Sequence, residues 1–232
     1  MKGIKLARAT SYVLVVAMLF TFSPLVNAEE AASQSRQIEQ LDDDRYRIGS
    51  IIVDKAAQSF TVPGKILILK EPLEYLAVST DGMKGYESLL ELSTAARDFN
   101  LACILIGLDD EKSIKPRYQF DERKPQGQAV KITVSWQQDG KTVSVSGANA
   151  MTAGEKVFDD DSWVYLGSET SNDGQQFMAE VGGTLIGFVH DPYSVIGHVN
   201  GAGIGAYGLI TGNEKVLPPK GSDITLTVAV VP

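Results

Sequence analysis

Cysteine occurs once in the 232 residues, at Cys103, and histidine only twice, at His190 and His198. A single cysteine excludes an intramolecular disulfide, an iron–sulfur cluster and any zinc site of the multi-cysteine type. Cys103 lies within an apolar stretch, where a thiol acts as a small hydrophobe; a reactive thiol needs an electropositive, partly exposed setting. The two histidines stand eight residues apart, a spacing that matches no metalloprotease helix motif. Neither G-x-S-x-G nor S-x-x-K occurs, so the common serine-hydrolase signatures are missing. Gly203 to Gly208 spells G-x-G-x-x-G, but Asn200-Gly201 precedes it where a nucleotide-binding fold has a strand, and no helix pattern follows. Asp159-Asp160-Asp161 lacks the glycine and the glutamate that complete an EF-hand loop.

Long apolar runs are also scarce. The one of note is Tyr12 to Phe22, behind the basic residues Lys2, Lys5 and Arg8 and ahead of Val26-Asn27-Ala28. Its length suits the apolar region of a signal peptide better than a membrane span, which needs about 20 apolar residues. Residues 1–28 are therefore expected to be a signal peptide cleaved before Glu29, leaving no transmembrane segment. Export to the periplasm is the expected destination, with secretion as the alternative.

Positive charge is in short supply as well. There are 21 Lys+Arg against 29 Asp+Glu, a formal charge of −8. Loss of Lys2, Lys5 and Arg8 with the leader takes the charge to −11. Such a surface repels nucleic acid and anionic lipid, and neither is expected as a partner.

What is present is mostly strand pattern. Residues 29–44 read as a disordered acidic spacer ending in Asp42-Asp43-Asp44. From Arg45 a single β-rich domain, 45–232, is expected. Tyr46–Asp54 reads as one strand, and Ser59–Val62 and Lys65–Leu69 as two more split by a turn at Pro63-Gly64. Residues 73–80 and 85–92 read as a hairpin turning at Asp81-Gly82. A helix over about 94–107 follows, capped by Thr94 or Ser93, stopped at Gly107, and apolar nearly all round, which marks a buried helix. Residues 109–127 carry two prolines and many charges, and read as a surface loop or an inter-lobe linker. Beyond them come a strand from Ala129, a hairpin turn at Asp139-Gly140, strands at 163–168, 176–181 and 184–189, and a final strand over 223–231. The expected class is α+β: a mostly antiparallel sheet packed around one buried helix, with short additional helical turns.

Several of these segments carry a family resemblance in order along the chain. They are Pro63-Gly64 with Pro72-Leu73-Glu74-Tyr75, then Tyr86-Glu87-Ser88-Leu89-Leu90, Ile104-Leu105-Ile106-Gly107-Leu108, Trp163 to Ser168, His190-Asp191-Pro192, and Leu217 to Gly221. Together they resemble the YdjY-like domain family of exported bacterial proteins, from about Tyr46 to Pro232. The resemblance implies a domain without an assigned activity, so it implies no catalytic residues. The chain departs from it at Tyr86, where the family has His before the Glu-Ser pair, and its one cysteine does not fit the ferredoxin-like description of some relatives.

Two functional readings follow. In the first, the domain is a non-enzymatic binding or accessory protein of the envelope, taking a small ligand or a partner protein and needing no cofactor. In the second it is a metal-dependent or acid–base enzyme. Its catalytic candidates are Glu87, His190 and Asp191. His190 and His198 are the candidate ligands for zinc or copper. Glu74, Tyr75, Lys84, Glu87 and Ser88 are expected to lie near one another.

Overall fold

The computed structural model describes residues 38–154, 156–157, 160–201 and 209–232. The expected signal peptide, the glycine motif at 203–208 and Asp159 lie outside these residues. In chain order the elements are β1 (Ile38–Gln40), β2 (Arg45–Ile48), β3 (Ile51–Asp54), β4 (Ser59–Ile66), β5 (Tyr75–Ser79), β6 (Ser88–Leu92), α1 (Ala96–Leu105), β7 (Ala129–Gln138), β8 (Lys141–Ser146), β9 (Met151–Ala153), β10 (Lys156–Val157), β11 (Trp163–Tyr165), α2 (Met178–Gly182), β12 (Thr184–Gly187), β13 (Ile196–His198), β14 (Ile210–Gly212) and β15 (Asp223–Val230).

Eight of the strands close into a barrel in the order β4-β15-β7-β11-β13-β12-β5-β6, with β6 returning to β4. The hairpins β1-β2-β3 extend the sheet beyond β4, and β8 pairs with β7. This overturns the expected α+β sheet packed around a helix: the core is the inside of a β-barrel. Alternation decides it. In β4, β7 and β15 every second residue is buried, as a barrel wall with one wet face requires. In β5, β11, β12 and β13 every residue is buried.

Pro63-Gly64 does not turn the chain; it lies within β4. There the strand exchanges one neighbour for another, β3 pairing as far as Thr61 and β6 from Gly64. A proline is tolerated in this gap because no ladder donor is needed from it. Gly64 closes the ring, since a Cβ there would sit 2.5 Å from Glu91 O. The expected strand Tyr46–Asp54 is instead the hairpin β2-β3, and most of the expected strand at 176–181 is helical, within α2. The spacer expected over 29–44 is ordered from Ile38 onward: β1 pairs with β2, and Asp42 accepts the Arg45 amide and pairs with its guanidinium.

The largest local correction concerns 73–92. β5 and β6 are not a hairpin but a parallel pair, Tyr75 opposite Ser88 and Ser79 opposite Leu92. Parallel neighbours need a crossover. Here residues 80–87 supply it, a turn at Asp81-Gly82 leading into a 3-10 segment, Met83–Glu87. The consequence for function is that Glu74 and Glu87, each one residue ahead of its strand, sit at the same end of the barrel.

Helix α1 lies at the other end. It packs on β3, β12 and α2, its Phe99 meets Phe60 of β4 edge-on at 5.2 Å, and its Asn100 accepts the Tyr165 hydroxyl of β11. Of these, β4, β11 and β12 are spread around the ring, so the helix caps the barrel rather than forming its centre. Ala96, Phe99, Ala102 and Cys103 are buried, while Ile104 is 50% exposed. Leu101 and Leu105 are partly buried and pack against the same core, so Ile104 alone among the apolar residues of the helix lies at the surface. Burial pushes the Cys103 thiol above its ordinary range, consistent with a packing role. The N-cap is Ala95, without a side-chain bond, rather than Thr94 or Ser93. The C-terminus is as expected: Gly107 has φ +97°, its amide bonds Ile104 O and the Leu108 amide bonds Cys103 O, a Schellman stop.

Candidate functional site

Glu74 and Glu87 are neighbours because β5 and β6 run parallel in register, and the Glu74 amide donates to Glu87 O at 2.9 Å. A third carboxylate arrives from the segment after β12. Phe188 and Val189 donate their amides to Glu74 O, which brings the following His190-Asp191 to the same end. All three carboxylates are more than nine-tenths buried: Glu74 is 4%, Glu87 6% and Asp191 5% exposed.

Each has one main side-chain partner. Lys84 Nζ lies 2.7 Å from Glu87 Oε1. Tyr75 donates its hydroxyl to Asp191 Oδ2 at 2.9 Å, and the Tyr193 amide donates to Oδ1. Gln119 Nε2 donates to Glu74 Oε2 at 2.6 Å. The Lys84 ammonium also lies 5.7 Å from the Tyr75 ring centre and 5.9 Å from that of the exposed Tyr86. The cluster thus holds three carboxylates against one ammonium.

Its electrostatics follow from burial. Desolvation, then the charge of Glu87, pushes the Glu74 carboxyl up to about 7, against the pull of Lys84 and Gln119. Burial also raises Asp191, opposed by its hydrogen bonds from Tyr193 and Tyr75. The Tyr75 phenol is held far above its ordinary range by burial and by Asp191 beside it. For Lys84, burial works downward, but the bond to Glu87 and its charge outweigh it, so the ammonium is favoured.

Gln119 comes from the 109–127 segment, which lies along the barrel. Phe120 donates its amide to His190 O at 2.7 Å. Asp121, 1% exposed, organises the turn: it accepts the Arg117 amide, Nε and Nη2 and the Arg123 amide. The Arg117 guanidinium holds the Asp121 carboxyl well below the usual carboxylate range.

The sequence candidates divide accordingly. Glu87 and Asp191 come together, joined by Glu74, Tyr75 and Lys84. The histidines face elsewhere. His190 has Nδ1 2.6 Å from Asp121 O and Nε2 3.2 Å from Val199 O. His198, fully buried, has Nε2 2.7 Å from Asp160 O, while its Nδ1 accepts the Asn200 amide. Trp163 and Phe188 pack around the His198 ring at 4.7 and 5.2 Å, and burial lowers its pKa. All four ring nitrogens are thus engaged with the backbone, and a metal would have to displace those contacts. Among the described residues no group of three or more His, Cys, Asp or Glu is arranged to hold an ion. Ser88 turns its hydroxyl to Lys84 O, fixing the turn that carries the lysine. Gln119 was not legible as a site residue, because nothing in a charged, proline-containing loop marks one amide for a contact 45 residues away.

A family model, YdjY domain, matches residues 51–229. No curated protein and no solved structure matches the chain.

Proposed function

We propose, starting from the chain's membership of the YdjY domain family, that it works as an exported domain of the cell envelope that binds a small cationic ligand at the Glu74–Glu87–Asp191 end of its barrel, without transforming it. Export rests on the leader pattern of residues 1–28. The site rests on one observation above all: among the described residues, neither Glu74 nor Asp191 has an ion-pair partner, although both are more than nine-tenths buried. Buried charges are ordinarily paired, because desolvation is costly. Lys84 compensates one of the three, and a bound ammonium group supplies what the cluster lacks, with the exposed face of Tyr86 beside it.

Calorimetric titration with putrescine tests this. Binding is expected at pH 8 and is expected to weaken as the pH falls below about 7, where Glu74 takes up its proton. Glu74→Gln is expected to weaken it by about tenfold, roughly 1.4 kcal/mol. No heat at either pH, or an unchanged affinity in Glu74→Gln, would remove the ligand class.

A second reading has its own support. Glu74, with its carboxyl near 7, and Glu87, tied to Lys84, are neighbouring acids in unequal environments, the arrangement used for general acid and general base. Acid–base catalysis would then run through Glu74 and Glu87 with Asp191 as their neighbour, in place of the His190/Asp191/His198 turn. Its mark is a pH–rate profile with a limb near 7 that Glu74→Gln abolishes.

A further inference from the structure

Strand β8 is paired along one edge only. Its neighbour is β7, and among the described residues no strand lies along its other side. The hairpin that joins the two fixes which backbone groups are left over. Gln138 faces Lys141 across a two-residue turn, and both turn residues, Asp139 and Gly140, have positive φ. This pair therefore exchanges both ladder bonds, as does every second pair after it. The backbone groups of Lys141, Val143 and Val145 point at β7, and those of Thr142 and Ser144 point away from it. Neither the Thr142 nor the Ser144 amide has another backbone partner among the described residues.

Native sheets blunt such an edge with proline, a bulge, charge or brevity. Elsewhere this molecule does so: β1, β14 and β10, the other strands at sheet ends, have three, three and two residues. Strand β8 has six residues in unbroken register, no proline, and one charge, Lys141, beside the turn. Its own sequence says what fits the edge. Thr142-Val143-Ser144-Val145-Ser146 reads nearly alike in both directions. Laid antiparallel on a second copy about a two-fold axis at Ser144, it sets Val143 opposite Val145, Thr142 opposite Ser146, and Ser144 opposite itself. Lys141 then meets Gly147, so no like charges face each other. The half-buried valines share one face of the joined sheet and the hydroxyls share the other, the pairing that stabilises neighbouring strands. The outward backbone groups of Ser144 bond each other across the axis. We propose that β8 is the interface of a homodimer, in which two barrels join edge to edge by antiparallel β8–β8 pairing centred on Ser144. Such a contact uses the same patch on both copies and closes on itself. It is independent of the carboxylate cluster.

Sedimentation velocity of the whole protein from about 10 µM to about 1 mM, with amide NMR over the same range, tests this. The contact is one strand wide, so a weak dimer is expected, with a Kd on the order of 0.1 mM. The Thr142 and Ser144 amides should shift with protein concentration. Ser144 is exposed, so Ser144→Lys and Ser144→Glu should both fold normally. Either variant alone places like charges opposite each other on the axis and is expected to weaken association at least about tenfold. An equimolar mixture of the two variants is expected to restore it. A monomer at about 1 mM would overturn the proposal, as would a dimer whose β8 amides do not shift, association unaltered in both variants, or a mixture no better than either alone. A monomer whose Thr142 and Ser144 amides respond to an added Thr-Val repeat peptide would give the edge to another protein's strand, and would overturn it too.

Discussion

Glu74→Gln is expected to stabilise the protein above pH 7, and to do so by about 2–3 kcal/mol. The sign follows from proton linkage. The folded carboxyl titrates at about 7 and an ordinary glutamate at 4.5. Between these values the folded chain keeps a proton that the unfolded chain releases. Stability is therefore greatest below about 4.5, falls as pH rises through the window, and levels off above 7. Glutamine cannot ionise, so it removes the penalty while its carbonyl still accepts the Gln119 amide. Urea unfolding at pH 5 and pH 8 measures this: the wild type loses stability between the two, and the variant loses less by that amount. The Asp191 carboxyl, also raised by burial, contributes a remaining slope of the same sign in both proteins. A variant weaker than wild type at pH 8 would show that the Glu74 charge supports the fold, and would undercut its assignment to a site.

Phe99→Ala is expected to cost about 3–5 kcal/mol. Phe99 is fully buried and meets Phe60 edge-on at 5.2 Å with an interplanar angle of 89°. It is the largest side chain that α1 inserts into the capped end of the barrel, so its loss leaves a cavity that the rigid strand wall cannot collapse to fill. The denaturation midpoint should fall with little change in the denaturant slope. Ile104→Ala, on the half-exposed face of the same helix, should cost much less. Equal losses at the two positions would contradict a helix packed on one side only.

The contrast between these two residues shows where sequence reading stopped. The apolar letter at Ile104 looks the same as those at Phe99 and Cys103, and composition does not say which face meets the wall. Local turn chemistry was legible: Asp139-Gly140 joins β7 to β8 in register, with φ +51° and +74°, and the strand read at 223–231 is β15. Pairing between distant strands was not. The return of β6 to β4 and the parallel register of β5 with β6 depend on contacts that no local pattern encodes, and a strand buried on both faces loses the alternation that would reveal its direction. For the same reason Glu74, Tyr75, Lys84 and Glu87 could be grouped from sequence, through a hairpin that is in fact a parallel pair. Asp191 was a candidate beside Glu87, but its contact with Tyr75, and the arrival of Gln119 by way of the 109–127 segment, could not be read. The histidines drew notice by their rarity, and their ring nitrogens meet the backbone.

The claim that Glu74, Glu87 and Asp191 form a charged site held against the cost of burial is tested most directly by following the Glu74 side-chain carboxyl by carbon NMR through a pH titration. The expected midpoint is about 7, moving down toward the ordinary glutamate value in Glu87→Gln, where the neighbouring charge is gone. A midpoint at 4.5 in the wild type, unmoved by Glu87→Gln, would contradict it.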